Sequence, residues 1–180
     1  MPLPAGSHCV RICPQATLGD DDEIAATCFV PHKGTDQRPA DNYLSMHWLE
    51  YLGLGLFPAC LNALRDYLRT STFPREFQPS RKGKLAVLPC DPTIQAGLAE
   101  MALALDFKHV PRVAQVAPGF EILDSGEMLV GIAPEQAAEL GLRLDPHSGL
   151  FTLPEEESHR LAVQQFFASK VIHSEPGKLS

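Results

Sequence analysis

Sixteen of the 180 residues are proline, and their placement limits this chain to short elements more than any other feature does. Proline fixes its own φ, brings no N–H donor and disfavours helix at the residue before it, so each one ends or begins an element. At about 9% of the chain, against a usual share of about 5%, prolines argue against a bundle of long helices. Nine of them fall into two groups. Pro58, Pro92, Pro134 and Pro154 stand where the first turn of a helix accepts proline, whereas Pro2, Pro4, Pro14, Pro31 and Pro39 crowd the first third of the chain.

Between these marks the hydrophobic spacing predicts a series of short elements. Residues 1–42 read as an extended, loop-rich arm with two short strands at most, one of them near 25–30. A helix is predicted over 44–52, with Ser45 as cap, Leu44 and Leu49 as a staple, and Trp48 and Leu52 facing inward. A second helix from Pro58 buries Leu61, Leu64 and Leu68. Residues 84–88 read as a core strand. Asp91-Pro92 then starts a helix striped by Ile94, Leu98, Met101 and Leu105, and 107–110 completes a β-α-β unit. Segments 120–123 and 128–132 flank the turn Asp124-Ser-Gly-Glu127 as a hairpin. A short helix opens at Pro134, and the last one follows Thr152-Leu-Pro-Glu155, turning Ala162, Val163, Phe166 and Phe167 inward. The expected fold class is α+β: a single domain of about 165 ordered residues with a small mixed sheet, about five helices mainly on one face, and a loop-rich N-terminal third. Its expected divisions are the arm 1–42, an α+β core 43–173 and a mobile tail 174–180.

Charge narrows the partners. Lys and Arg number 15 against 22 Asp and Glu, a net charge of −7, which offers no long-range attraction to a phosphate backbone. The one basic cluster, Arg75, Arg81, Lys82 and Lys84, reads as a solvated loop leading into a strand, with nucleic-acid contact expected only as part of a larger complex. The first residues form neither a basic nor an apolar leader, and no apolar run reaches membrane-spanning length, so the expectation is a cytoplasmic protein with no membrane contact. Five scattered cysteines, Cys9, Cys13, Cys28, Cys60 and Cys90, suit a reducing compartment better than a disulfide framework. His8, Cys9, Cys13, Cys28 and His32 include zinc-type ligands, but their spacing is irregular and no C-x2-C pair occurs, so no metal is assigned. The acidic run Asp20-Asp-Asp-Glu23 reads as a solvated turn, and without any phosphate or dinucleotide glycine pattern no cofactor is expected.

Three readings of function follow, one of them a subunit of a nucleoprotein complex that contacts RNA or DNA through Arg75, Arg81, Lys82 and Lys84. A nucleophilic Cys90, between a strand end and a helix start, with His109 as its base from the next strand, would make a small cysteine-dependent hydrolase or transferase. Against it, Asp91 opposes ionisation of the thiol. Serine arrangements built from Ser45, His47 and Asp41, or from Ser148, His147 and Asp145, lack a nucleophile elbow. The leading reading is therefore a non-catalytic protein-protein interaction module, a cytoplasmic bacterial accessory or immunity-type protein. Its protein partner would dock on Tyr43, Trp48, Tyr51 and Phe57, since aromatic side chains are enriched at interface cores.

Four segments, Cys28-Phe-Val-Pro31, Asp41-Asn-Tyr-Leu-Ser-Met-His-Trp-Leu-Glu-Tyr51, Lys84-Leu-Ala-Val-Leu88 and Leu105-Asp-Phe-Lys-His-Val-Pro111, occur here in that order. The order resembles a family of small uncharacterised bacterial proteins in which an F-x-P element precedes D-x-x-L-S-x-x-W-L-E, a short strand and an x-H-x-P element. The resemblance spans residues 28–111 and implies this ordering of elements, with no catalytic residue carried over. A histidine-bearing S-H-A-G-I segment associated with such proteins is replaced here by Gly126-Glu-Met-Leu-Val-Gly-Ile132, which keeps only Gly-Ile.

Overall fold

Leu85, Ala86, Val87 and Leu88 are buried one after another, an arrangement that requires a strand covered on both faces. The computed structural model describes residues 4–30, 44–52, 61, 62, 64, 65, 82–90, 105–109, 114–117, 120–122, 127–132, 136, 139 and 157–177. Its strands are β1 (His8–Cys13), β2 (Leu44–Trp48), β3 (Lys84–Pro89), β4 (Leu105–His109), β5 (Ala114–Ala117), β6 (Phe120–Ile122), β7 (Glu127–Ile132) and β8 (His173–Pro176); helix α1 (Glu157–Ser169) precedes β8. Six of them form one sheet in the order β4-β7-β2-β1-β3-β8, with every neighbouring pair antiparallel, while β5 and β6 make a separate two-stranded ribbon.

This architecture corrects the expected fold class. The sheet is antiparallel rather than mixed, and among the described residues a single helix, α1, is seven residues or longer, where about five were expected. The N-terminal third is not only loop: it supplies β1, which lies between β2 and β3. The predicted strand near 25–30 is a 3-10 turn, Ala26–Phe29. The predicted helix over 44–52 is instead β2 followed by the 3-10 turn Leu49–Leu52, because Leu44 and Met46 alternate into one face of the sheet with a period of two. Ser45 lies inside β2 rather than at a helix start, and its carbonyl accepts a bond from Arg11. The β-α-β unit is also absent as such, since β3 and β4 are separated by β1, β2 and β7. Nor do β6 and β7 form a hairpin: β6 pairs with β5, and β7 fits between β2 and β4. The helix expected from Asp91 to Leu105 lies outside the described residues except at its last position, Leu105, which is not helical but begins β4 and pairs with Ile132.

Both faces of the sheet are covered. On one, Cys9 and Cys13 of β1, Leu44 and Met46 of β2, and Ala86 and Leu88 of β3 pack with Phe29 of the 26–29 turn and with Val163 and Phe167 of α1. The Phe29 and Phe167 rings stack at 5.8 Å, and Phe166 meets Phe167 edge-on at 6.0 Å. Val163, Phe166 and Phe167 thus face the core as their spacing predicts. On the other face Val10, Leu85 and Val87 pack against Leu49 and against Leu61 and Leu64, which are helical and buried as expected. At the β8 edge, Arg65 Nη2 donates to Glu175 Oε2 at 2.6 Å and to the Pro176 carbonyl at 2.8 Å, fastening this helical turn to the last strand. The Arg65 guanidinium, with His173 behind it, holds the Glu175 carboxyl below the usual range.

Phe167→Ala removes the ring that joins α1 to the 26–29 turn, and a buried aromatic lost to alanine costs about 3–5 kcal/mol. Urea unfolding of the two proteins will show this loss, whereas Ile172→Ala, at a side chain 58% exposed, will stay within about 0.5 kcal/mol of wild type.

Candidate functional site

Strand β1 reads Cys9-Val-Arg-Ile-Cys13, and period-two alternation puts Cys9, Arg11 and Cys13 on the face that α1 covers. A partly buried guanidinium needs several acceptors, and Arg11 has them. Its Nε donates to the Cys28 carbonyl at 3.0 Å, Nη1 to the Ser45 carbonyl at 2.6 Å and Nη2 to the Val30 carbonyl at 2.8 Å. One side chain thereby joins β1, β2 and the chain around the 26–29 turn.

Two thiol pairs lie on this same face. At one end of β1, Cys13 and Cys28 are both buried and share a side-chain hydrogen bond. Cys13 Sγ is 3.7 Å from the Arg11 carbonyl. Cys28 Sγ is 3.1 Å from the Thr17 carbonyl and 3.7 Å from Thr17 Oγ1, whose hydroxyl also lies 2.8 Å from the Pro14 carbonyl. The two thiols titrate as a unit, with the first proton leaving Cys28. The bond from Cys13 lowers Cys28 to about 6, helped against burial by the Ala25 backbone, the Thr17 hydroxyl and the Arg11 charge. Cys13 is correspondingly pushed up, by that same bond and by burial.

At the other end, Cys9 and Cys90 form the second pair, with the Cys90 N–H donating to the Ser7 carbonyl at 3.0 Å. Burial pushes the Cys9 thiol up; its hydrogen bond to Cys90 and the Glu50 charge add to that. Glu50 is held over this end by His8, whose N–H donates to Oε2 at 2.9 Å and whose Nδ1 lies 2.6 Å from Oε1. Beyond Glu50, the exposed Tyr51 packs against the half-buried Trp48, ring centroids 5.6 Å apart.

The residues proposed from sequence are distributed as follows. Cys90 is buried at the end of β3, and His109 is on β4, four strand spacings or about 19 Å across the sheet. That separation denies Cys90 the base assigned to it. Cys9 and Cys13 are four residues apart on one strand, about 13 Å, so they cannot meet at one tetrahedral ion. No group of three or more His, Cys, Asp or Glu side chains suited to a metal occurs among the described residues. Asp20–Asp22 is an exposed 3-10 turn closed by the Gly19 N–H donating to the Glu23 carbonyl at 2.9 Å. Of the basic cluster, Lys82 is exposed and Lys84 half-buried in β3. Ser45 and His47 alternate along β2, with Asp41 outside the described residues, as are Asp145, His147 and Ser148. So are Arg75, Arg81, Tyr43, Phe57, His32 and Cys60. No described helix is long and apolar enough to cross a membrane.

Sequence reasoning missed the Cys13 and Cys28 pair, Arg11 between the thiol pairs, and the His8 and Glu50 contact. The signal for the first two was the C-x-R-x-C alternation, visible once 8–13 is read as a strand rather than as part of an arm. No family model matches the chain, and no curated protein or solved structure matches it either.

The Cys28 thiol carries a stability signature whose sign follows from linkage. Its folded value lies below that of an unfolded cysteine, so between about pH 6 and 8.5 the folded state binds fewer protons and gains stability as pH rises. Below 6 that gain is lost, and above about 9 the raised Cys13 opposes it. The stability difference between wild type and Cys28→Ser will therefore grow from pH 6 to 8.5 and shrink again above 9, as read from urea midpoints across that range.

Proposed function

We propose that this protein is a cytoplasmic bacterial protein-protein interaction module of accessory or immunity type, and that its partner docks at the end of the sheet marked by Trp48, Glu50 and Tyr51. The observation that supports this reading best is the Trp48 and Tyr51 pair. Tyr51 is 38% exposed on a 3-10 turn, supported from behind by a half-buried indole and flanked by a carboxylate that His8 holds in place. A rigid aromatic beside an oriented charge is the arrangement that interface hot spots use, because little conformational entropy is lost on docking. The partner expected for this patch carries a cationic group for Glu50 next to an apolar pocket for the Tyr51 ring. Catalysis by Cys90 and His109 receives no support from the strand order, and the interaction reading stands without it.

A photo-crosslinking phenylalanine analogue at position 51, in the full chain expressed in its own host, will yield a discrete cross-linked protein. The same analogue at position 161, an exposed site on α1, will not. Titrating the identified partner against Tyr51→Ala will show an affinity about thirtyfold weaker, the equivalent of a 2 kcal/mol hot spot. Native purification that returns only this chain, with no cross-link from position 51, sinks the reading.

A further inference from the structure

We propose that the outer edge of β4 is a self-pairing surface, to which a second copy of this chain adds its own β4 antiparallel about Phe107, joining two sheets into one. The surface is separate from the Trp48 and Tyr51 patch, and the proposal does not depend on that patch.

The sheet ends at β8 on one side and at β4 on the other, and the two edges differ. In antiparallel pairing a residue turns both its N–H and its C=O toward one neighbouring strand, and the next residue turns them toward the other. The Cys90 N–H, donating to the Ser7 carbonyl at 3.0 Å, sets the phase: Lys84, Ala86 and Leu88 are turned to β1, and Gly83, Leu85 and Val87 to β8. The Gly177 N–H, which donates to the Gly83 carbonyl at 2.8 Å, agrees with this phase. On β8 the outward positions are therefore Ser174 and Pro176. Proline has no N–H to offer, and the Pro176 carbonyl already accepts from Arg65 Nη2 at 2.8 Å and Nε at 3.3 Å. Proline and arginine thus stop that edge against a further strand.

The same alternation, followed the other way, reaches β4. Val10 is turned to β2 and is opposite His47, so Leu44 and Met46 are turned to β7, where they are opposite Val130 and Met128. Leu129 and Gly131 are then turned to β4, opposite Lys108 and Asp106. Leu105, Phe107 and His109 consequently hold their N–H and C=O groups on the outer side of β4, where no further strand pairs among the described residues.

The sequence of this edge is complementary to itself. With a twofold axis at Phe107, that residue is opposite the partner's Phe107, and Leu105 is opposite the partner's His109. The three outward residues of each chain then exchange six N–H to C=O bonds in all. Between them fall the closer pairs, with Cα atoms about 4.5 Å apart, and there Asp106 is opposite the partner's Lys108 on both sides of the axis. Opposite charges stabilise such cross-strand pairs and like charges destabilise them. A slip of two residues sets Asp106 against the partner's Asp106 in one direction, or Lys108 against the partner's Lys108 in the other. The charges therefore select one register, and a second copy of this chain supplies the matching strand.

Sedimentation equilibrium on the full chain tests this at physiological ionic strength, where the net charge of −7 on each copy is screened beyond about 8 Å. The expected mass rises with concentration from 19.7 kDa toward twice that value. Asp106→Lys and Lys108→Asp each put like charges at both symmetric positions, and each weakens self-association about tenfold while circular dichroism stays unchanged. An equimolar mixture of the two variants pairs opposite charges again and forms a heterodimer, and both substitutions in one chain restore the homodimer. Amide-resolved hydrogen exchange of the wild type needs no substitution, so it decides even where a variant does not fold. The amides of Leu105, Phe107 and His109 gain protection as concentration rises, whereas those of Asp106 and Lys108, turned to β7, are protected throughout. A chain that stays monomeric across the series overturns the proposal and leaves the edge to a different protein. It is equally overturned by a dimer that both single variants leave unchanged, or by amides at 105, 107 and 109 that do not respond to concentration.

Discussion

The guanidinium of Arg11 is the point on which three separate stretches of chain converge. It donates to the carbonyls of Cys28, Val30 and Ser45, so β1, β2 and the 26–29 turn are held by hydrogen bonds that carry a full charge. Such bonds contribute about 1.5–3 kcal/mol each, and a carbonyl deprived of its donor in a half-buried site adds its own desolvation cost. Lysine cannot replace this geometry, because three carbonyls at different angles require a planar, forked donor. The charge that organises the backbone also acts on the thiols beside it. Architecture and the electrostatics of the Cys13 and Cys28 pair therefore depend on the same side chain.

How much of the fold was legible depended on whether burial followed one periodicity. The inner face of α1 was visible in Val163, Phe166 and Phe167, because a helix packed on one side keeps its 3.6-residue stripe. Strand β3 was visible as an unbroken apolar run. By contrast, Leu44 to Leu52 satisfies two templates at once: Leu44, Leu49 and Leu52 suit a helix, and Leu44 and Met46 suit a strand. Pairing with β1 and β7 decides in favour of the strand, a tertiary choice that local spacing does not contain. Strand β1 was hidden for a related reason. With Arg11 half-buried among Cys9, Val10 and Cys13, it shows neither clean alternation nor an uninterrupted apolar run, and the flanking prolines suggested a loop.

The site was less legible than the fold. Cys90 drew attention because it follows a strand, but reactivity in this chain depends on neighbours brought in by long-range pairing. Cys28 meets Cys13 across fifteen positions of sequence, and Glu50 reaches His8 across forty-two. Nothing in either local sequence announces the other. The aromatic pair at Trp48 and Tyr51 was closer to readable, since its members are three residues apart, although they were expected on a helix and are found where a strand passes into a 3-10 turn.

The position of β1 also bears on how the chain reaches this structure. It precedes every other strand in sequence yet takes the centre of the sheet, with β2 on one side and β3, some seventy residues later, on the other. During synthesis both of its edges are open until those partners emerge, and an unpaired strand edge is a template for wrong pairing. Closing loops of this length before any contact rewards them makes folding slow compared with a helical protein of equal size. A strand paired along both edges in the finished molecule thus waits with both edges open in the nascent chain.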